Sequence, residues 1–256
     1  MRIVIYNIRY GTGTGLHYHM PIPFSGFFAF STKRISRIAD FLDSLDADIV
    51  CLVEVDGGSY RHRKLCQAHR LASLQGWEHH FSTKYGKNSI LSRLPLLSSQ
   101  GNAILTRLPV VASREHHLAR GMKKTVLEVE FPEFHVLVVH LPLGKSARRS
   151  QLKELARKLE PLRKPVLLGG DFNLLHGSSE LNYLLSATGM RDADTAGTPT
   201  YPSRVPRFRL DRLLVRKEIS VRNFTVPRIP LSDHLPIVCD FEIGTRNIST
   251  LEIDRL

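Results

Sequence analysis

Cysteine is scarce in this chain of 256 residues: Cys51, Cys66 and Cys239 are odd in number and far apart. That excludes a disulfide framework and a paired-cysteine zinc site, and suits reduced, buried thiols. No stretch approaches about 18 consecutive apolar residues, so no segment spans a bilayer as a helix. The chain enters strand-like sequence at Met1-Arg2-Ile3-Val4-Ile5-Tyr6 without the apolar stretch and cleavage site of a signal peptide, which predicts a cytoplasmic protein. Acid is in deficit, with 24 Asp plus Glu against 36 Lys plus Arg, a formal net charge of +12. A field of that sign favours anionic partners: nucleic acid, phospholipid headgroups or phosphorylated metabolites. Internal repeats, low-complexity tracts and linkers are missing, so residues 1–243 are expected to form one domain, followed by a polar tail at 244–256. What is present is globular in composition, 42% hydrophobic and 23% charged, which excludes intrinsic disorder and provides a sizeable core.

Hydrophobic periodicity predicts strands at 2–6 and 49–53 alternating with helices at 33–45 and 63–74. Short strands follow at 103–106, 110–112, 124–130 and 135–140, with turn signals between them and an antiparallel texture. A charged helix at 147–159, a strand at 165–168, a helix at 179–187 and strands at 210–215, 219–224 and 237–241 complete an α/β pattern of helices flanking a mixed β core. Residues 11–31 resist this scheme. They carry Tyr18, Phe24, Phe27, Phe28 and Phe30 without helical or strand period, as either a lid packed on the core or a contact for substrate or a membrane surface. GTGTG at 11–15 lacks the GxGxxG spacing and the following helix of a dinucleotide site.

Several apolar runs end on a polar residue: Asn7 after IVIY, Glu54 after IVCLV, His140 after VLVV, and Asp171-Phe172-Asn173 after VLLGG. Ser232-Asp233-His234 stands just before the last strand. Ligands in α/β sheets bind outside strand ends, so these groups are expected to converge on one crevice. Taken singly, each also has a structural reading as a strand end, a surface ion pair or a tight turn. Glu54, Asp171 and Asp233 with the Asn7 and Asn173 amides form an oxygen-rich set suited to magnesium or manganese rather than zinc. The pairs His17 and His19, His79 and His80, and His116 and His117 lack a further ligand at zinc-site spacing. Lys145, Arg148, Arg149, Lys153, Arg157 and Lys158 make a basic helix that reads as a solvated face or a phosphate contact, and Arg61, His62, Arg63 and Lys64 read the same way.

YN at 6–7, LVE at 52–54, GNAILTR at 101–107, VHLPLG at 139–144, GGDFN at 169–173, RLDRLLV at 209–215 and SDHLPI at 232–237 together resemble the endonuclease/exonuclease/phosphatase superfamily, in family order. The resemblance implies a four-layer sandwich of two facing mixed β sheets flanked by helices, with a magnesium-dependent phosphoesterase site at one rim. It implies Glu54 as principal metal ligand with Asn7 and Asp233 beside it, and Asp171 as the group that orients or deprotonates water. Asn173 and His140 would contact phosphate, and His234 would meet the phosphoryl oxygen, oriented by Asp211. Asn102, Arg148 and Arg149 are the candidate substrate-binding residues. Where secreted DNA-cutting members place a glutamate against the equivalent of His140, residues 82–87 here offer none. The activity expected is phosphodiester hydrolysis on nucleic acid, as a nuclease or repair enzyme. The alternative is a phospholipid, sphingomyelin or inositol-phosphate phosphodiesterase, and a noncatalytic binding protein on the same fold is disfavoured by the complete motif set.

Overall fold

The computed structural model describes residues 1–14, 32–59, 64–84, 99–121, 123–175 and 177–244. The segments RIVIYN and IVCLVEVD are apolar without alternation, as strands covered on both faces must be. They form β1 (Arg2–Asn7) and β2 (Ile49–Asp56), which pair in parallel. β4 (Gln100–Thr106) adds antiparallel to β2, and β3 (Glu78–Thr83) closes that edge. β12 (Ile237–Ile243) and β11 (Ile219–Thr225) extend the other edge, giving the order β11-β12-β1-β2-β4-β3. The second sheet runs β5 (Ala112–His117), β6 (Thr125–Glu130), β7 (His135–His140), β8 (Val166–Asp171), β10 (Asp211–Arg216) and β9 (Met190–Asp192). Both sheets are mixed, since β7 and β8 also pair in parallel.

Three layers of side chains hold this together. Ile3, Ile5, Cys51, Val53, Phe131, Val138 and Leu213 fill the space between the sheets. α1 (Thr32–Ser44) buries Ile35, Ile38, Ala39 and Leu42 at three- and four-residue spacing, and covers the first sheet together with α2 (Gln67–Ser73). α3 (Lys145–Leu159) and α4 (Asn182–Thr188) cover the second sheet through Leu152, Leu155, Leu159 and Leu184. The sandwich of two facing mixed sheets flanked by helices is as expected from the sequence.

Several local expectations are corrected. β4 pairs with β2 and β3 in the first sheet instead of joining the antiparallel run that follows it. β3 and β9 were not foreseen, and the helix expected at 63–74 begins at Gln67. The aromatics from Tyr18 to Phe30, the basic residues Arg61, His62 and Arg63, and the tail beyond 244 lie outside the described residues.

The histidines at 116 and 135 have a structural use. Glu128 on β6 is buried, and its carboxylate is met by His116 Nε2 at 2.5 Å and His135 Nδ1 at 2.9 Å. Burial alone would raise the Glu128 carboxyl, but the two imidazoles outweigh it and hold it well below the usual range. A carboxyl depressed by folding contributes stability above its ordinary value and loses it as the pH falls toward the folded value. Glu128→Gln is therefore expected to cost about 1–3 kcal/mol at neutral pH and to flatten the acid limb of stability. Thermal unfolding at pH 7 and pH 4 checks this, and a variant matching the parent at both would show the clamp to be neutral.

Candidate active site

Strand register assembles the site. His140 lies opposite Asp171 in the parallel pair of β7 and β8, and Asp211 lies opposite Asp171 in the antiparallel pair of β10 and β8. Three neighbouring strands of the second sheet thus end in one polar row. The facing sheet contributes Asn7 from the end of β1 and Glu54 from β2. Asp233 and His234 stand on the turn before β12. All these residues except Asp211 line a cavity of about 380 Å3 at the shared rim, together with Asn173, Arg9, Tyr10, Lys123 and Tyr201.

The two glycines of GGDFN have separate reasons. A Cβ on Gly169 would stand 2.3 Å from Ile5 Cδ1 of the opposite sheet, and one on Gly170, at φ +139°, would stand 2.0 Å from Val139 O. The first keeps the sheets close under the site, and the second lets β8 deliver Asp171 beside β7. Backbone strain is concentrated here. Among the described residues, six that are not glycine have positive φ, and Arg9, Tyr10, Glu54 and Asn173 of these line the cavity. Glu54, at φ +56°, sits where the pairing of β2 with β4 shifts register between Leu52 and Val55. The bulge aims its carboxylate into the cavity.

Asp171 is held rigidly. Its Oδ1 accepts from the Asn173 N–H at 2.9 Å and its Oδ2 from Asn7 Nδ2 at 3.3 Å, with His140 Nε2 also 3.3 Å away. Burial alone would raise this carboxyl, but His140, His234 and Lys123 hold it well below the usual range. His140 moves the other way: burial and the Lys123 ammonium push it down to about 4. Lys123 Nζ hydrogen-bonds His140 Nε2.

His234 Nδ1 meets Asp211 Oδ2 at 2.7 Å, and Thr200 Oγ1 donates to the same oxygen at 2.6 Å. Burial would lower the imidazole, yet Asp211, Asp171 and Asp233 raise it to about 10. Below that pH the ring is an imidazolium, oriented by Asp211 and flanked by the tilted Tyr201 ring at 4.8 Å. A cationic donor fixed near an anionic carboxylate is the equipment for adding water to a charged ester.

The sequence profile of the Endonuclease/Exonuclease/phosphatase family matches residues 6–234. The chain belongs to this family. Its members are hydrolases that act on phosphoesters. The YbhP protein of Escherichia coli strain K12 is 29% identical over 242 residues, covering 85% of this chain and 92% of that one. The Bacteroides thetaiotaomicron mannosyl-6-phosphatase Bt3783 superposes with a TM-score of 0.70 at 16% identity, over 95% of this chain and 100% of that one. The human nocturnin catalytic domain, solved with a bound sulfate anion, gives 0.67 at 22% identity, over 95% and 94%. At these identities the two solved structures speak for the fold.

The family is generally dependent on a divalent metal. Among the described residues no three His, Cys, Asp or Glu side chains are drawn together as a metal cluster. The donor set nonetheless fits a hard cation. Glu54 Oε1 is 4.0 Å from Lys84 Nζ and 3.8 Å from His140 Nδ1, ion-pair distances too long for hydrogen bonds from these partners. Burial would raise the Glu54 carboxyl, but Lys84, His140 and Lys123 keep it low and ionised. Glu54 with Asn7 is the pair that would hold such a cation.

Other expected residues are placed differently. Arg148 is corrected as a substrate-binding residue: its side chain is 1% exposed. It donates to Glu180 at 2.7 and 3.1 Å and to the carbonyls of Pro142 and Leu143. It stands four residues before Leu152 and seven before Leu155, on the buried stripe of α3, while Arg149 points to solvent. Asn102 is buried on β4 and does not line the cavity. Sequence reasoning missed Arg9, Tyr10, Lys123, Tyr201 and Lys84. Lys84 falls within residues 82–87, which offer no glutamate. Burial pushes it down to about 8 against the opposing pull of Glu54, and it donates to Tyr10 Oη at 2.8 Å.

Proposed function

We propose that this protein is a magnesium-dependent phosphodiester hydrolase acting on nucleic acid. The observation that carries the reading is the His234 imidazolium, fixed by Asp211 at 2.7 Å in the same cavity as the anionic Asp171. A phosphodiester bound there would place a phosphoryl oxygen against His234, which donates a hydrogen bond and neutralises developing charge. Asp171, anionic but weakly basic, accepts from the attacking water and sets its direction. Asn173 and Asn7 hold Asp171, and Lys123 adds positive charge beside the phosphate. A hard divalent cation bound by Glu54 and Asn7 would supply further neutralisation of the phosphoryl group.

The net charge of +12 supports a polyanionic substrate. A panel of plasmid DNA, RNA, a small chromogenic phosphodiester and phospholipid vesicles with magnesium tests the choice. Cleavage confined to vesicles would replace the nucleic-acid reading with the lipid one. Glu54→Gln is expected to raise the magnesium concentration for half-maximal activity at least about tenfold, since it removes one of few anionic ligands. An unchanged magnesium titration would remove Glu54 from the metal centre.

A further inference from the structure

A second cavity, of about 490 Å3, lies beside the first and is walled by Arg120, Arg149, Lys153, Ser146, Ser179 and Tyr183. Three chain segments run from one cavity to the other: from Lys123 back to Arg120, from Leu143 to Ser146 and from Leu175 to Ser179. The first two are three residues long, a reach of at most about 11 Å, so the cavities are neighbours on one rim. Gln151 Nε2 donates to Arg120 O at 2.5 Å and Lys123 O at 2.6 Å, which ties both residues to α3.

The charge of this second cavity is one-sided. Glu180 is the carboxylate in its lining, and both oxygens are taken by the buried Arg148, at 2.7 and 3.1 Å. Glu154, next to Lys153 in sequence, accepts from the backbone N–H of Ala119 at 2.9 Å. Arg120, Arg149 and Lys153 are exposed, and none has an ion pair among the described residues. Lys153 Nζ instead lies 5.8 Å from the centre of the half-exposed Tyr183 ring. Unpaired cations around one hollow repel each other, and that repulsion is relieved by an incoming anion.

We infer that this hollow is a second phosphate subsite, which receives the backbone of a nucleic-acid strand whose scissile phosphodiester lies in the neighbouring catalytic cavity. The inference rests on the phosphodiesterase reading above and adds that the substrate is a chain with several phosphates. Arg120, Arg149 and Lys153 track the backbone, the serine hydroxyls donate to phosphate oxygens, and Tyr183 offers a ring to a base.

The test compares single-stranded oligonucleotide with dinucleotide for the parent enzyme and for Arg120→Ala/Lys153→Ala, both changes being at exposed positions. The parent is expected to bind the oligonucleotide more tightly. The variant is expected to lose about tenfold of that advantage. Its slope of log K against log salt should fall by about 1.4, for two lost contacts at about 0.7 each. A parent with the length preference and a variant that keeps both preference and slope would overturn the subsite while leaving the nuclease reading intact. A parent that binds neither nucleic acid would overturn both. Binding to phosphatidylserine vesicles lost in the variant, with oligonucleotide binding kept, would make the hollow a lipid-headgroup site and overturn the inference.

Discussion

Asp171→Asn is expected to reduce kcat by about 10²- to 10⁴-fold while changing KM little. The substitution keeps the shape of the side chain and the hydrogen bond from the Asn173 N–H, and removes the negative charge. Two consequences follow from the geometry. The attacking water loses its anionic acceptor, and His140, His234 and Lys123 lose the carboxylate they surround. Both losses bear on the transition state more than on ground-state binding. Single-turnover rates at saturating substrate measure the effect directly. A variant that keeps the parental single-turnover rate and loses affinity instead would show Asp171 to be a binding residue only.

His234→Ala should cost about 10²- to 10³-fold in kcat, the usual loss for one fixed donor to a developing oxyanion. Its pH dependence is a sharper check. His234 is raised to about 10 when folded, although burial alone would lower it, because Asp211, Asp171 and Asp233 favour the charged ring. A group raised in this way stays protonated through neutral pH, so activity that needs the imidazolium should persist through neutrality and fall as the pH rises toward 10. Asp211→Asn removes the carboxylate at 2.7 Å and should move that alkaline limb to lower pH, with a smaller loss at neutral pH than His234→Ala. An alkaline limb in the same place for Asp211→Asn would separate the Asp211 carboxylate from the titration of the ring.

Most of the architecture was legible because the strands that carry the site are also the most buried. Val4, Ile5, Val50, Cys51, Val138 and Leu168 are fully covered and read as unbroken apolar runs. β3 was not legible: Glu78-His79-His80-Phe81-Ser82-Thr83 is an edge strand with mostly half-buried residues, and its sequence has neither alternation nor an apolar run. β9, at three residues, is below the length at which periodicity speaks. The strand ends that line the cavity showed themselves as polar residues closing apolar runs, and these do meet in one place. Lys84 and Lys123 did not, since a lysine near a strand end is ordinarily a solvated one and only the tertiary structure buries Lys84 and turns Lys123 into the cavity. Arg148 shows the reverse failure. Its charge suggested solvent and phosphate, whereas its spacing from Leu152 and Leu155 already put it on the apolar stripe of α3.

The contact of Ile5 with Gly169 reaches beyond packing. Asn7 and Glu54 belong to one sheet, and His140, Asp171 and Asp211 to the other, so the width of the reactive gap is set by hydrocarbon lying beneath it. The core between the sheets acts as a gauge block: a methyl added at Gly169 has no room before it meets Ile5, and a smaller side chain at Ile5 would let the two jaws approach. Catalytic rate should therefore register changes in that layer in addition to their cost in stability. Natural selection for turnover would then constrain buried aliphatic residues that never touch substrate.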